Sequence, residues 1–206
     1  GHAARGHSGF VDFALLPSSV GAVVADANSR GLAYTGPFDG GRLRLDGEHL
    51  VWQMGLPPAP ELPFLCGDVT PRALRVPEGA VRQHPNGVTG VACITVAVAD
   101  LDASLARYAA LLGQPGERLP LTGLGLHQAR VQLGDTRLLL VAPGAGAHGP
   151  AAQALHSAGE FAQLNAAYSR PPVSTGEVIE PEAYLDTARQ PPVEVRIWFK
   201  SFTVRV

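Results

Sequence analysis

One order of predicted elements occurs twice along the chain, and this repeat constrains the fold more than any other feature. The first copy begins with an apolar strand over 9–16, which only Asp12 interrupts. Ser18 or Ser19 then caps a helix, because a side-chain hydroxyl accepts a free backbone N–H there. Two further strands follow around the turn at 46–47.

The second copy repeats this order with stronger signals. Residues 91–99 form an apolar, β-branched strand, Asp100 caps the next helix, and Gly113 ends it. Residues 127–133 alternate between apolar and polar, and 136–142 form the return strand. The helix entries at Pro17 and Ala99 lie 82 residues apart, which predicts a duplicated α+β unit.

Composition excludes several classes of function. The formal charge is −2 and the pI is about 6.4, so we expect no nucleic-acid partner. The chain lacks an apolar run of about 18 residues, so we expect no membrane span. The two cysteines, Cys66 and Cys93, do not make a disulfide framework. A reducing, cytoplasmic location is the expectation.

A proline-rich stretch over 57–87 separates the two copies and cannot be one helix. One interpretation is an extended linker over the surface. The other is a functional loop on a rigid scaffold, since the stretch carries many polar side chains. These side chains are Asp68, Arg72, Arg75, Arg82, His84 and Asn86.

The second copy resembles a known family. Its opening, from Cys93 to Asp102, resembles the start of a glyoxalase-like module, which has the pattern His-Val-Val-Leu-Ala-Val-Pro-Asp-Leu-Asp before a helix ending in Leu-Gly. The stretches 62–65, 68–72 and 84–90 resemble uncharacterised glyoxalase-like proteins of the vicinal oxygen chelate (VOC) superfamily, the glyoxalase/bleomycin resistance/dioxygenase group. The resemblance implies an α+β fold of two βαβββ modules, whose mixed, curled sheets surround a ligand cleft.

The predicted division of the chain follows from this resemblance. It consists of a first module (8–67), a polar connector (68–90), a second module (91–158) and a C-terminal extension (159–206). In the extension, residues 161–168 read as a helix. Residues 193–199 read as a strand that can complete the second sheet.

The resemblance also implies where a divalent metal would be held, since many members use a His of the first strand and a Glu of the last strand of each module. These positions fall on Cys93 and Leu139 in the second module and on Val11 and Gln53 in the first. Val11 and Leu139 have no donor atom, so we expect no metal and no other cofactor. A divalent metal remains the alternative.

Two groups of connector residues are candidates for chemistry. His84 is the candidate acid–base group, with Asn86 as a ligand contact; alternatively both belong to a turn at 85–87. Arg72 and Arg75 can bind an anionic ligand, or they pair internally with Asp68.

Three strand residues are further candidates for ligand binding. Trp52 and Gln53 lie on the last strand recognisable in the first copy, where alternation places Trp52 and Met54 on one face and Gln53 on the other. His127 shares the alternating face of Val131 and is expected to face the cleft.

The preferred function is a metal-free protein that binds a small organic molecule in the cleft between the modules. The alternative is an enzyme of the same fold, a lyase, isomerase or dioxygenase, that uses His84 as acid and base. A purely structural or partner-binding module is the third class. An unpaired sheet edge in each copy favours a homodimer.

Overall fold

The computed structural model describes residues 12–83, 85, 87–88, 90–121, 125–134 and 136–147, together with the backbone of two later strands. Ten strands and two α-helices are present in these ranges. The elements in chain order are β1 (Ala14–Leu16), α1 (Val20–Ser29), β2 (Thr35–Leu43), β3 (His49–Leu56), β4 (Phe64–Asp68), β5 (Gly90–Val98), α2 (Leu101–Leu112), β6 (Glu117–Leu119), β7 (Leu126–Leu133), β8 (Thr136–Pro143), β9 (Phe161–Ser169) and β10 (Thr203–Arg205).

The strands form two mixed sheets that share one topology. The first sheet has the order β10-β1-β4-β3-β2, and the second has the order β6-β7-β8-β5-β9. In each module the first strand pairs in parallel with the fourth, and the second, third and fourth pair as an antiparallel meander. The predicted α+β fold of two βαβββ modules is confirmed.

The two helices begin for the reason that the sequence indicated. The Ser19 hydroxyl accepts a hydrogen bond from the backbone N–H of Ala22, and the Asp100 carboxylate accepts one from that of Ala103. Gly113, with a φ of 70°, ends α2 in the left-handed conformation that glycine adopts without a steric penalty. Measured between the two capping residues, the repeat is 81 residues and not 82.

The proline-rich stretch contains structure that the sequence reading missed. Its residues 64–68 form β4, a central strand of the first sheet, and two 3-10 helices follow at Arg72–Leu74 and Gly79–Arg82. A linker was predicted because prolines surround this strand. The strand forms because the buried side chain of Leu65 packs into the core.

The helix predicted over 161–168 is wrong. Phe161–Ser169 is strand β9, which pairs antiparallel with β5, and Thr203–Arg205 is strand β10, which pairs in parallel with β1. Pairing with the open edge of β5 supplies more backbone hydrogen bonds between elements than local helix propensity could indicate. The strand predicted over 193–199 lies outside the described residues.

One hydrophobic core joins the two modules. Both helices pack between the sheets, and each sheet turns alternate residues of its strands toward them. The largest fully buried side chains of this core include Leu15, Leu65, Val96, Tyr108 and Leu140. The helix face of each sheet therefore serves the core, which leaves only the opposite faces for a ligand.

A short segment of the first module is held by the helix of the second. The Tyr108 hydroxyl donates to the carbonyl oxygen of Glu61, and the Tyr34 hydroxyl donates to that of Pro63, both at 2.7 Å. The buried Glu61 carboxylate forms an ion pair with Arg107 and accepts a hydrogen bond from Ser104 at 3.4 Å. Burial raises the pKa of both tyrosines, so both phenols stay protonated donors at neutral pH. We call this set of contacts the module joint.

Gly67 gives a test of how closely α1 packs on β4. A Cβ atom at Gly67 would lie 2.9 Å from Cγ2 of Val20 and 3.3 Å from the carbonyl oxygen of Pro17. We therefore expect Gly67→Ala to lower the free energy of unfolding by about 1–2 kcal/mol. Gly21→Ala is the matched control, because its nearest neighbour lies 3.8 Å away, and it should stabilise α1 by about 0.5 kcal/mol. Urea unfolding measures both, and equal effects would contradict the close contact.

Candidate functional site

The register of the first sheet defines which side chains face away from the helices. Gly55 and Gly67 lie directly under α1, since a Cβ at either would come within about 3 Å of Val24 or Val20. Leu65 lies on the same face and is fully buried. The residues that alternate with these point to the opposite side. We call that side the outer face of the first sheet.

The outer face carries apolar side chains that are only partly covered. Trp52 and Met54 share it, as alternation predicted, and both are half-buried. Phe38 is the cross-strand neighbour of Met54 and is 46% exposed. Gly40 is the neighbour of Trp52, and a Cβ there would lie 2.5 Å from Nε1 of the indole. The indole therefore lies flat across Gly40, which leaves an aromatic surface on this face.

A charged cluster adjoins this apolar surface at the end of β4. Asp68 pairs across the strands with Trp52, and its carboxylate accepts from Nε of Arg75 at 2.5 Å and from Nη1 of Arg72 at 3.4 Å. The hydrogen bond to Asp68 raises the pKa of Arg75, which stays charged at every pH of interest. The internal pairing predicted as one alternative for these arginines is thus present.

The same cluster contains an unused donor and a buried thiol. Nη2 of Arg75 is buried and has no acceptor among the described residues. Cys66 alternates with Asp68 on the outer face, and burial raises the pKa of its thiol. A protonated thiol is a weak nucleophile, so this cluster is suited to binding a ligand and not to thiolate chemistry.

Gln53 lies elsewhere and corrects the alignment of the first module. It pairs with Gly67 on the helix face, and its amide donates to the Asp39 carboxylate at 3.1 Å. Its strand, β3, is the third of the module and not the last. The last strand is β4, so the position that the family's Glu would take is not Gln53.

His127 also departs from the expected position. Its cross-strand neighbour is Ala142, a core residue of the helix face, so His127 does not share the outer face of the second sheet. The ring is exposed and lies beside Gly144. His84 and Asn86 lie outside the described residues, and their roles stay predictions.

The structure now places the four positions at which this fold family holds a metal. The repeat of 81 residues makes Asp12, not Val11, the counterpart of Cys93. The strand pairs Ala14–Phe64 and Thr95–Leu139 are likewise equivalent, so the last-strand positions hold Phe64 and Leu139.

These residues do not fit a divalent metal. Phe64 and Leu139 have no donor atom, and burial raises the pKa of the Cys93 thiol, which disfavours the thiolate that a metal needs. Asp12 alone would supply a carboxylate, and it also accepts from the backbone N–H of Phe13 at 2.7 Å. In the described parts of the chain, no group of three or more His, Cys, Asp or Glu side chains could hold a metal ion.

The outer face of the second sheet is closed where that of the first is open. Leu126, Leu139 and Val141 are buried there in a small apolar cluster. Gln128 is buried in the same face, and its Nε2 finds no acceptor in the described part of the chain. The accessible ligand surface therefore belongs to the first sheet.

A cavity of about 110 Å³ lies on the helix side of the molecule. It is lined mainly by apolar residues of both modules, including Leu15, Leu65 and Leu111. Arg30, which also lines it, donates to the carbonyl oxygen of Ala110 at 3.1 Å and so links α1 to α2. None of the predicted site residues lines this cavity, so we regard it as a packing gap between the helices.

Two βαβββ modules with their helices packed together define a protein of the glyoxalase-like class. A model of the glyoxalase-like domain family matches residues 2–112, more than half of the chain. The chain therefore belongs to this family, within the VOC superfamily.

Solved structures support the fold alone. A hypothetical protein from Staphylococcus aureus superposes with a TM-score of 0.52 at 11% identity, and the match covers 70% of this chain and 57% of that one. This chain thus spans little more than half the length of that relative. Methylmalonyl-CoA epimerase from Mycobacterium tuberculosis matches with a TM-score of 0.34 at 21% identity, over 42% of this chain and 59% of that one.

Two other comparisons found nothing. No curated protein matches the sequence. Among the residues that the structure describes, neither helix is long and apolar enough to cross a membrane.

Proposed function

We propose that this protein binds a small organic molecule on the outer face of the first sheet, without the metal that related proteins often use. The observation that carries the proposal is the aromatic surface of that face. There the Trp52 indole lies across Gly40, and Phe38 and Met54 lie beside each other on neighbouring strands. Apolar side chains with a few polar groups at one end are typical of small-molecule sites.

The donor set supports the metal-free part of the proposal. At the two last-strand positions the chain has Phe64 and Leu139, which enlarge an apolar surface and cannot bind a cation. The ligand would thus be held by apolar contact and by hydrogen bonds from the chain itself. We expect dialysis against a chelator to leave the dissociation constant unchanged, and a loss of affinity that added Zn²⁺ or Mn²⁺ restores would contradict this.

Trp52 provides a direct reporter for the test. The chain has two tryptophans, Trp52 and Trp198, so Trp198→Phe leaves Trp52 as the single fluorophore of the site. A panel of apolar and amphipathic small molecules is titrated against this variant. A binder should change the Trp52 emission, and at about 100 times its dissociation constant it should raise Tm by about 5 °C.

Truncation of the indole tests the position of the ligand. Trp52→Ala removes the aromatic surface, and we expect the affinity measured by calorimetry to fall about tenfold or more. Leu121→Ala is the matched control, since Leu121 is an exposed apolar residue at another place and its loss should not change affinity. Equal affinity of Trp52→Ala and the unchanged protein would place the ligand elsewhere.

A further inference from the structure

The charged cluster at the end of β4 carries an excess of positive charge that the chain itself does not neutralise. One carboxylate, that of Asp68, faces two guanidinium groups, those of Arg72 and Arg75. Only 12% of the Asp68 side chain and 13% of the Arg75 side chain are exposed, so solvent screens these charges weakly. The cluster therefore holds a net charge of one positive unit close to the surface.

The hydrogen-bonding capacity of the cluster is unbalanced in the same direction. Both carboxylate oxygens of Asp68 accept from arginine, one from each guanidinium group. Nη2 of Arg75 remains without an acceptor among the described residues, although the atom is buried. Arg72 binds Asp68 only at 3.4 Å and is 26% exposed, so it too has donors directed to solvent. What the cluster lacks is an acceptor with a negative charge.

The apolar part of the site lies next to this cluster. Trp52 is the cross-strand neighbour of Asp68, and Met54 is the neighbour of Cys66, so the indole and the thioether follow the cluster along one face. A molecule whose charged end meets the arginines would lay its body over Trp52. The order of charge and apolar surface thus matches an amphipathic ligand and not a uniformly polar one.

We infer that the ligand is a monocarboxylic acid with a flat or long apolar body, its carboxylate accepting hydrogen bonds from Arg75 and Arg72. This inference rests on the proposed function and specifies its ligand class. A carboxylate matches the planar fork of a guanidinium group, which presents parallel N–H donors. One negative charge balances the excess of one positive charge, whereas a phosphate monoester would exceed it.

The test compares three probes that share one apolar body. These are 2-naphthoate, its neutral amide 2-naphthamide, and 2-naphthyl phosphate, each titrated by calorimetry against the full chain. We expect 2-naphthoate to bind about tenfold more tightly than the amide, because a charged acceptor strengthens the hydrogen bonds from arginine. The phosphate should bind no more tightly than 2-naphthoate.

Arg75→Lys shows which residue selects the carboxylate. Lysine keeps the positive charge beside Asp68 but lacks the planar fork, so the preference for naphthoate over the amide should disappear while the affinity for the amide stays the same. Arg82→Lys, in the second 3-10 helix, is the matched control and should keep the preference. Unchanged thermal unfolding of Arg75→Lys confirms that the fold is kept.

The possible failures are distinguishable. Equal binding of the acid and the amide would overturn the carboxylate inference and leave the proposed function standing. A preference that survives Arg75→Lys, or tighter binding of the phosphate, would also overturn the inference. Absence of binding by all three probes would overturn the inference and count against the proposed function itself.

Discussion

Replacement of Tyr108 by alanine should lower the free energy of unfolding by about 3–5 kcal/mol, which is a large part of the stability of a domain of this size. The ring is fully buried in the core that both modules share, so its removal leaves a cavity that the sheets cannot close. Its hydroxyl also donates to the Glu61 carbonyl oxygen in the module joint. Urea unfolding with linear extrapolation measures the loss.

Tyr108→Phe separates the two contributions. The ring stays in place, and only the hydrogen bond to the Glu61 carbonyl oxygen is lost, so we expect a smaller loss of about 1–3 kcal/mol. A loss below about 1 kcal/mol for Tyr108→Ala would mean that α2 does not close the shared core, and the described packing would then be incorrect.

The second large effect concerns the ion pair of the module joint. Arg107→Ala leaves the Glu61 carboxylate, only 7% exposed, without its cation. Removal of one partner of a fully buried pair costs about 3–5 kcal/mol, but Arg107 is 41% exposed, so water screens part of the interaction. We expect a loss of about 2 kcal/mol in the free energy of unfolding.

Arg118→Ala is the matched control for this ion pair. Arg118 forms an ion pair with Asp102 of the same helix as Arg107, but both side chains are mainly exposed. Its removal should change stability by less than about 0.5 kcal/mol. Equal losses for the two variants in urea unfolding at 0.15 M NaCl would show that the joint is no more buried than a surface pair.

Much of the fold could be predicted because its signals are local. Asp100 and Gly113 mark the two ends of α2 by cap chemistry that depends only on nearby backbone atoms. The alternation over 126–133 corresponds to β7, and the repeated order of elements predicted two equivalent modules. These features need no knowledge of distant partners.

The remaining features depend on contacts between distant residues. Strand β4 is short and surrounded by prolines, and only its pairing with β1 and β3 makes it a strand. Because β4 was missed, Gln53 was taken for a last-strand residue. The error of one residue in the repeat had the same effect on Val11, since alignment on Pro17 in place of the capping Ser19 shifted the first strand.

The candidate site was predicted only in part for a similar reason. Arg72, Arg75 and Trp52 were named from residue type, and the structure brings them together around Asp68. Phe38 and Gly40 were not named, because the stretch Gly-Pro-Phe-Asp-Gly-Gly reads as a turn and not as a strand. Their register opposite Met54 and Trp52 follows from β2 pairing with β3.

The two sheets have equal topology but unequal surfaces, and this difference affects how many ligands a chain can hold. In the second sheet, Leu126 and Val141 fill the face that in the first sheet exposes Phe38 and half of Trp52. A duplication that began with two equal halves has thus become asymmetric, with one half specialised as support. The saturation stoichiometry should accordingly be one molecule per chain, although the architecture is twofold.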